Sequence, residues 1–250
     1  MEPFSTAAAT AVLERSAEGV VLQEGLSLYQ LEQIYRPPEG LGHLGDFHVT
    51  EETVTNLNNI LDGNSSYRKL EEFRELARTN PEAIMPYFND IHTKGQAGEA
   101  IFEANLQRFG EVRTQEVVQL EGAATGNKID LQLVESTDNI KQLELTMDNG
   151  QVIADGNYDI LKGDSASFEV KNGGLDYLRQ EVRNGELLQQ IEAGKQLSDH
   201  SYVVINEDTA AKLMENPTIA ENIIRQINEA GGKLIVGLPE EAVQTSIFLG

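Results

Sequence analysis

The period of the hydrophobic pattern changes near His92, and that change restricts the chain to folds that set helices beside a sheet. Before it, turn residues separate helical patterns. Pro37-Pro38-Glu39-Gly40 breaks the chain, Thr50 can cap a helix carrying Val54, Leu57 and Leu61, and Asp62-Gly63 ends it. The spacing of Tyr67, Leu70, Phe73 and Leu76 predicts a second helix, and Asn80-Pro81 starts a third through Ile84, Tyr87, Phe88 and Ile91. After His92, Gly95 and Gly98 precede a helix over 97–109. Runs rich in β-branched or alternating apolar residues follow at 112–120, 129–134, 140–147, 151–154 and 167–171. Asp148-Asn149-Gly150 is a hairpin turn, so 138–165 reads as a hairpin inserted between two other strands. The remainder is helical over 175–197 with an interruption at Asn184-Gly185, extended over 201–205, helical over 209–230 with a break at Pro217, and extended over 233–236. The order α-β-β-(hairpin)-β-α-β-α-β specifies an α/β fold. We expect a helical domain over 1–92 and a second domain over 93–250.

Composition removes several functional classes. Lys and Arg total 19 against 41 Asp and Glu, a formal charge of −22, which argues against a broad basic footprint for nucleic acid or anionic membrane. A polyanion would need a local site with the help of a metal. The chain has no cysteine, so disulfides, thiolate zinc sites and a cysteine nucleophile are excluded. No stretch of about 18 apolar residues occurs, and the opening lacks the basic start and apolar run of an export signal, so a soluble protein without a signal peptide or membrane span is expected. His43, His48, His92 and His200 have no zinc spacing, and neither a phosphate-binding glycine loop nor a G-x-S-x-G elbow occurs. Asp155, Asp159 and Asp164 alternate like calcium ligands, but the twelve-residue pattern is missing and a turn-rich loop is the better reading.

Three acids and a lysine stand in unusual places. Asp130 follows the Gly126-Asn127-Lys128 turn near the start of an otherwise apolar strand, where a buried carboxylate needs compensation. In Ser167-Phe168-Glu169-Val170-Lys171 a period of two puts Glu169 and Lys171 on one face. Glu99 points with Phe102 and Leu106 on its helix, a carboxylate facing packing, which leaves Glu103 and Gln107 as the solvent side. If convergent, three carboxylates and a lysine suit a hard divalent cation such as Mg²⁺ or Mn²⁺. The cation could polarise a phosphodiester while Lys171 orients water or offsets developing charge. Read purely structurally, Asp130 caps a turn, Glu169 and Lys171 form a half-exposed ion pair, and Glu99 complements a helix dipole.

The order Glu99 on a helix, Asp130 on a strand, Glu169-Val170-Lys171 on a later strand and Gln189-Gln190 on the next helix resembles the PD-(D/E)XK, restriction-endonuclease-like nuclease superfamily over residues 94–205. The resemblance implies an αβββαβ core with the hairpin at 138–165 as an insertion. By position, it implies that Asp130 and Glu169 hold the metal, that Glu99 completes or supports that shell, that Lys171 is the catalytic lysine, and that a glutamine of the next helix adds to the site. Gln190 flanks the Leu187–Ile191 apolar stripe and is preferred to Gln189. Ile129 stands where a proline often precedes the metal Asp, and Glu169 follows Asp130 by 39 positions, longer than in a minimal core.

The wording Lys94-Gly95-Gln96-Ala97-Gly98-Glu99 and Glu169-Val170-Lys171-Asn172-Gly173 is also similar to nuclease domains of bacterial polymorphic toxins of the contact-dependent inhibition, Rhs and type VI effector kinds. That resemblance implies a cognate immunity protein, action in the cytoplasm of a target cell after delivery by a secretion system, and N-terminal helices serving a delivery or adaptor protein. The expected function is metal-dependent phosphodiester hydrolysis, with DNA slightly favoured over tRNA. Two alternatives remain: a housekeeping or defence DNA nuclease of the same superfamily, and a non-enzymatic acidic interaction protein on this fold.

Overall fold

The structure is a computed structural model that describes residues 51–63, 66–80, 83, 86–87, 90–123, 125–140, 145–146, 152–154 and 160–236. The Pro37–Gly40 break, the Thr50 cap and the loop around Asp155 and Asp159 lie outside the described residues.

Helices α1 (Glu51–Asp62) and α2 (Arg68–Thr79) form where their apolar spacing predicts. The third expected helix does not extend from Asn80. Ala83, Pro86 and Tyr87 instead have 3₁₀ conformation, and the next α-helix, α3 (Ile91–Leu106), begins ahead of the start expected at residue 97. Asp90 accepts hydrogen bonds from the Thr93 N–H at 2.8 Å and the Thr93 hydroxyl at 2.7 Å, so both glycines fall inside the helix. The break read between residues 92 and 93 therefore lies within α3. Asp90→Ala should cost about 1 kcal/mol in urea unfolding. The Thr93 hydroxyl and N–H hold the Asp90 carboxyl below the usual carboxylate range. This part of the stability is accordingly full at neutral pH and lost as the pH falls through that lowered value.

The solvent side assigned to α3 needs correction. Gln107 is exposed, but Glu103 is buried, because α2 begins over that side and the Tyr67 hydroxyl donates to Glu103 Oε2 at 2.7 Å. Burial first of all pushes the Glu103 carboxyl above its ordinary value. A helix with both sides covered by packing cannot be read from periodicity alone.

Five strands form one mixed sheet: β1 (Val112–Val118), β2 (Asn127–Leu133), β5 (Ala166–Lys171), β6 (His200–Ile205) and β7 (Lys233–Val236), in that spatial order. β2 runs antiparallel to its neighbours β1 and β5, and β5, β6 and β7 run parallel. Short strands β3 (Leu145–Thr146) and β4 (Val152–Ala154) pair antiparallel as a separate ribbon, in agreement with the inserted hairpin. The parallel connections cross over through helices: α4 (Leu175–Asn184) and α5 (Glu186–Leu197) before β6, then α6 (Glu207–Met214) and α7 (Pro217–Glu229) before β7. The expected interruption is Gly185, whose φ of 78° ends α4 and lets α5 start in a new direction.

The sheet separates two apolar layers. Phe102 of α3 packs on Phe168 at 5.1 Å between ring centroids, Phe168 stacks on Tyr202 at 5.5 Å, and Leu57, Leu70 and Phe73 from the first two helices join this cluster. On the other face Val203, Ile205 and Leu234 meet Leu178, Val182, Leu187, Ile191, Ile223 and Ile227. No helix among the described residues is long and apolar enough to cross a membrane.

Candidate active site

Pairing between β2 and β5 runs only through Leu131↔Phe168, Gln132↔Ser167 and Leu133↔Ala166. One step further, side chains take over from the backbone ladder. The Val170 N–H donates to Asp130 Oδ2 at 3.0 Å, and the Asp130 N–H approaches Glu169 Oε1 at 3.4 Å. The register of two antiparallel strands thus brings together residues 39 positions apart.

Glu169 and Lys171 project to one side of β5, as the alternation predicts, but they are not half-exposed: Glu169 is 1 % and Lys171 6 % accessible. Lys171 Nζ donates to Glu169 Oε2 at 3.3 Å and to Gln190 Oε1 of α5 at 3.1 Å, and Glu181 Oε2 stands 4.0 Å away. Gln190 Nε2 turns back to the Lys128 carbonyl at 3.3 Å, while Gln189 is exposed. Gln190 is therefore the glutamine that joins the cluster. Burial and then the Asp130 charge raise Glu169 well above the carboxylate range despite Lys171. Burial also works against the Lys171 ammonium, but Glu169 and Asp130 outweigh it and keep its pKa above the ordinary lysine value.

Glu99 reaches the same place from α3. It lines a cleft of about 760 Å³ together with Lys94, Gln115, Lys128, Asp130 and Lys171. Burial, and after it Asp130, pushes its carboxyl up to about 8, with Lys171 opposing. Of the five residues singled out in the sequence, Asp130, Glu169, Lys171 and Gln190 are linked by hydrogen bonds, and Glu99 lines the same cleft from the facing helix.

The fold locks the helix to the strand end beside this cluster. A Cβ on Gly98 would lie 2.5 Å from the Asn172 Cβ, so α3 can approach only without a side chain there. Asn172 donates to the Lys94 carbonyl at 2.9 Å and accepts from Asn206 Nδ2 at 2.9 Å, and the Thr209 hydroxyl donates to the Gly173 carbonyl at 2.6 Å. This buried network ties α3, the end of β5 and the start of α6 into one wall of the cleft.

The donor set fits a hard divalent cation in its chemistry. Its side-chain donors are oxygens, and burial, followed by the Asp130 charge, raises the Glu99 and Glu169 carboxyls. Among the described residues no three His, Asp or Glu side chains stand as a ready metal cage. Mg²⁺ is commonly held by one or two carboxylates with waters and substrate phosphates rather than by such a cage. No protein-family model matches the chain, and comparison with curated proteins and with solved structures returns no match.

The cleft also contains residues that the sequence did not flag. Gln115 of β1 donates to Glu99 Oε2 at 3.1 Å. Tyr177 in the first turn of α4 stands at the rim, 47 % exposed, with its ring against Gly173, where a Cβ would meet its Cδ1 at 2.5 Å. The paired glycines after Lys171 were the available signal for Tyr177. Gln115 had none.

Proposed function

We propose that the chain is a metal-dependent nuclease with a restriction-endonuclease-like core, and that it acts as an antibacterial toxin neutralised by an immunity protein. One observation carries the enzymatic reading: Asp130 and the Glu169–Lys171 pair, distant in sequence, meet where two antiparallel strands stop pairing, beside a cleft that also holds Glu99. A mixed sheet in which three antiparallel strands lead into a parallel crossover agrees with the αβββαβ order of that superfamily. The toxin setting, with its delivery partner, rests on the sequence resemblance.

In this reading Asp130 and Glu169 hold Mg²⁺ or Mn²⁺, and Glu99 supports them from the facing helix. The bound cation supplies Lewis acidity to a phosphodiester oxygen and acidifies a water. The chain's own residues do the rest. Glu169 and Gln190 fix the Lys171 ammonium from two sides, so its N–H groups are aimed before substrate arrives. Lys171 orients the attacking water and offsets negative charge that develops at phosphorus. Attack is direct, and no covalent enzyme intermediate forms. Lys94 and Lys128 at the cleft supply local positive charge that the chain as a whole lacks.

The test incubates purified protein with plasmid DNA and with total tRNA, each in Mg²⁺, Mn²⁺ or EDTA. Cleavage in Mg²⁺ or Mn²⁺ that EDTA removes supports the reading and names the substrate class. Intact nucleic acid from a folded protein in every lane overturns it in favour of an acidic binding module, which the charge of −22 would suit. Rescue of growth by a neighbouring small reading frame separates a toxin from a housekeeping or defence nuclease.

A further inference from the structure

The β1–β2 ribbon reverses the face it presents, and one residue marks the reversal. Val112 packs with Leu131 and Leu133 against the α3 layer, whereas Val118 and Ile129 pack with Ala193 of α5 on the opposite face. Simple alternation would keep 112 with 118, and 129 with 131 and 133, on a single side. The change occurs between two paired levels, Thr114↔Leu131 and Glu116↔Ile129. Gln115 and Asp130 stand between them. Gln115 has a φ of 60° and is the only non-glycine among the described residues with a positive φ. A residue with a side chain is strained in that region and stays there only where its surroundings hold it.

We infer that Gln115 is a positioning residue: its left-handed backbone rolls the ribbon so that Asp130 reaches the Val170 N–H, and its amide steadies Glu99 over the same cleft. The next residue of that alternation, Gln132, keeps the ordinary direction and donates to the Leu197 carbonyl of α5 at 3.0 Å. Asp130 instead bridges toward β5 at the level where the ladder ends. One strained residue therefore serves two carboxylates on different elements. The inference deepens the nuclease reading, but its structural half stands without it.

The experiment compares Gln115→Gly, Gln115→Asn and Gln115→Val in the full chain. Glycine and asparagine tolerate the left-handed region, and β-branched valine resists it. Four quantities are read: the melting temperature, the hydrogen-exchange protection of the Val170 amide, and kcat and KM for cleavage in Mg²⁺. Gln115→Gly should melt above wild type and keep Val170 protected, while kcat falls about tenfold through the lost amide contact. Gln115→Val should lose Val170 protection by about 100-fold with Tyr202 and Val203 unchanged, and lose kcat about 100-fold with KM within about threefold. Equal Val170 protection in the glycine and valine variants overturns the inference. So does a glycine variant that melts below wild type. If wild type cleaves nothing, the nuclease reading fails, yet the exchange comparison still decides what places Asp130. Should Gln115→Val not fold, Gln115→Ala provides the same contrast with glycine in milder form.

Discussion

Lys171→Met should lower phosphodiester cleavage by about 10²–10⁴-fold while leaving a folded protein. Methionine preserves most of the buried stem and removes the only cationic group that Glu169 and Gln190 hold in place. Removing one partner of a buried ion pair commonly costs about 3–5 kcal/mol, because a bare charge is stranded. Here the cost should be smaller, about 1–2 kcal/mol, since burial already favours the protonated form of Glu169 and the carboxyl can take up a proton instead. A urea melt together with a cleavage time course separates the two effects. Activity within about threefold of wild type would remove Lys171 from the chemistry. Asp130→Asn and Glu169→Gln should show comparable losses of cleavage and should also abolish the melting shift produced by Mg²⁺, which Lys171→Met should retain.

The largest effect on stability is expected from Phe102→Ala, about 3–5 kcal/mol. Phe102 is fully buried, touches Phe168 directly and, through it, Tyr202, so its ring couples α3 to two central strands. For a folded body of this size that loss corresponds to about 6–20 °C in melting temperature. The substitution lies one turn from Glu99, so the helix that carries this carboxylate should also seat less firmly. Calorimetry gives the first quantity and cleavage the second. A variant that melts within about 3 °C of wild type would mean that the helices before α3, and not the sheet, hold it in place.

Several elements could be read from residues alone because their signals are local. The alternation around Glu169 and Lys171 put both on one face, Gly185 and Pro217 marked the helix breaks, and the β-branched run after Asp199 marked β6. The pairing of Asp130 with Glu169 also has a local cue, an acid in an apolar strand that lacks an evident partner. What escaped was set by neighbours distant in sequence. The need for glycine at 98 shows only once Asn172 is seen against it, and Glu103 resembles a solvent residue until Tyr67 covers it. Gln115 carries no glycine or asparagine signature for its backbone. Tertiary packing imposes that conformation against local preference, and propensity cannot reveal it.

The meeting of β2 and β5 has a consequence for how such a chain could diverge. Where the ladder stops, the Asp130 carboxylate accepts the Val170 N–H that a backbone carbonyl would otherwise have taken. In the nuclease reading the acid would be a fastener as well as a metal ligand. A descendant that had lost all chemistry would still gain from an oxygen acceptor at this position, because an unpaired strand amide would remain if it were lost. Gln190 leaves no strand amide unpaired when it is lost, since its side chain contacts the Lys171 ammonium and the Lys128 carbonyl near the start of β2. Decay of function in such a lineage would therefore show first at Gln190 and last at Asp130, the reverse of the order in which the two residues draw attention in a sequence.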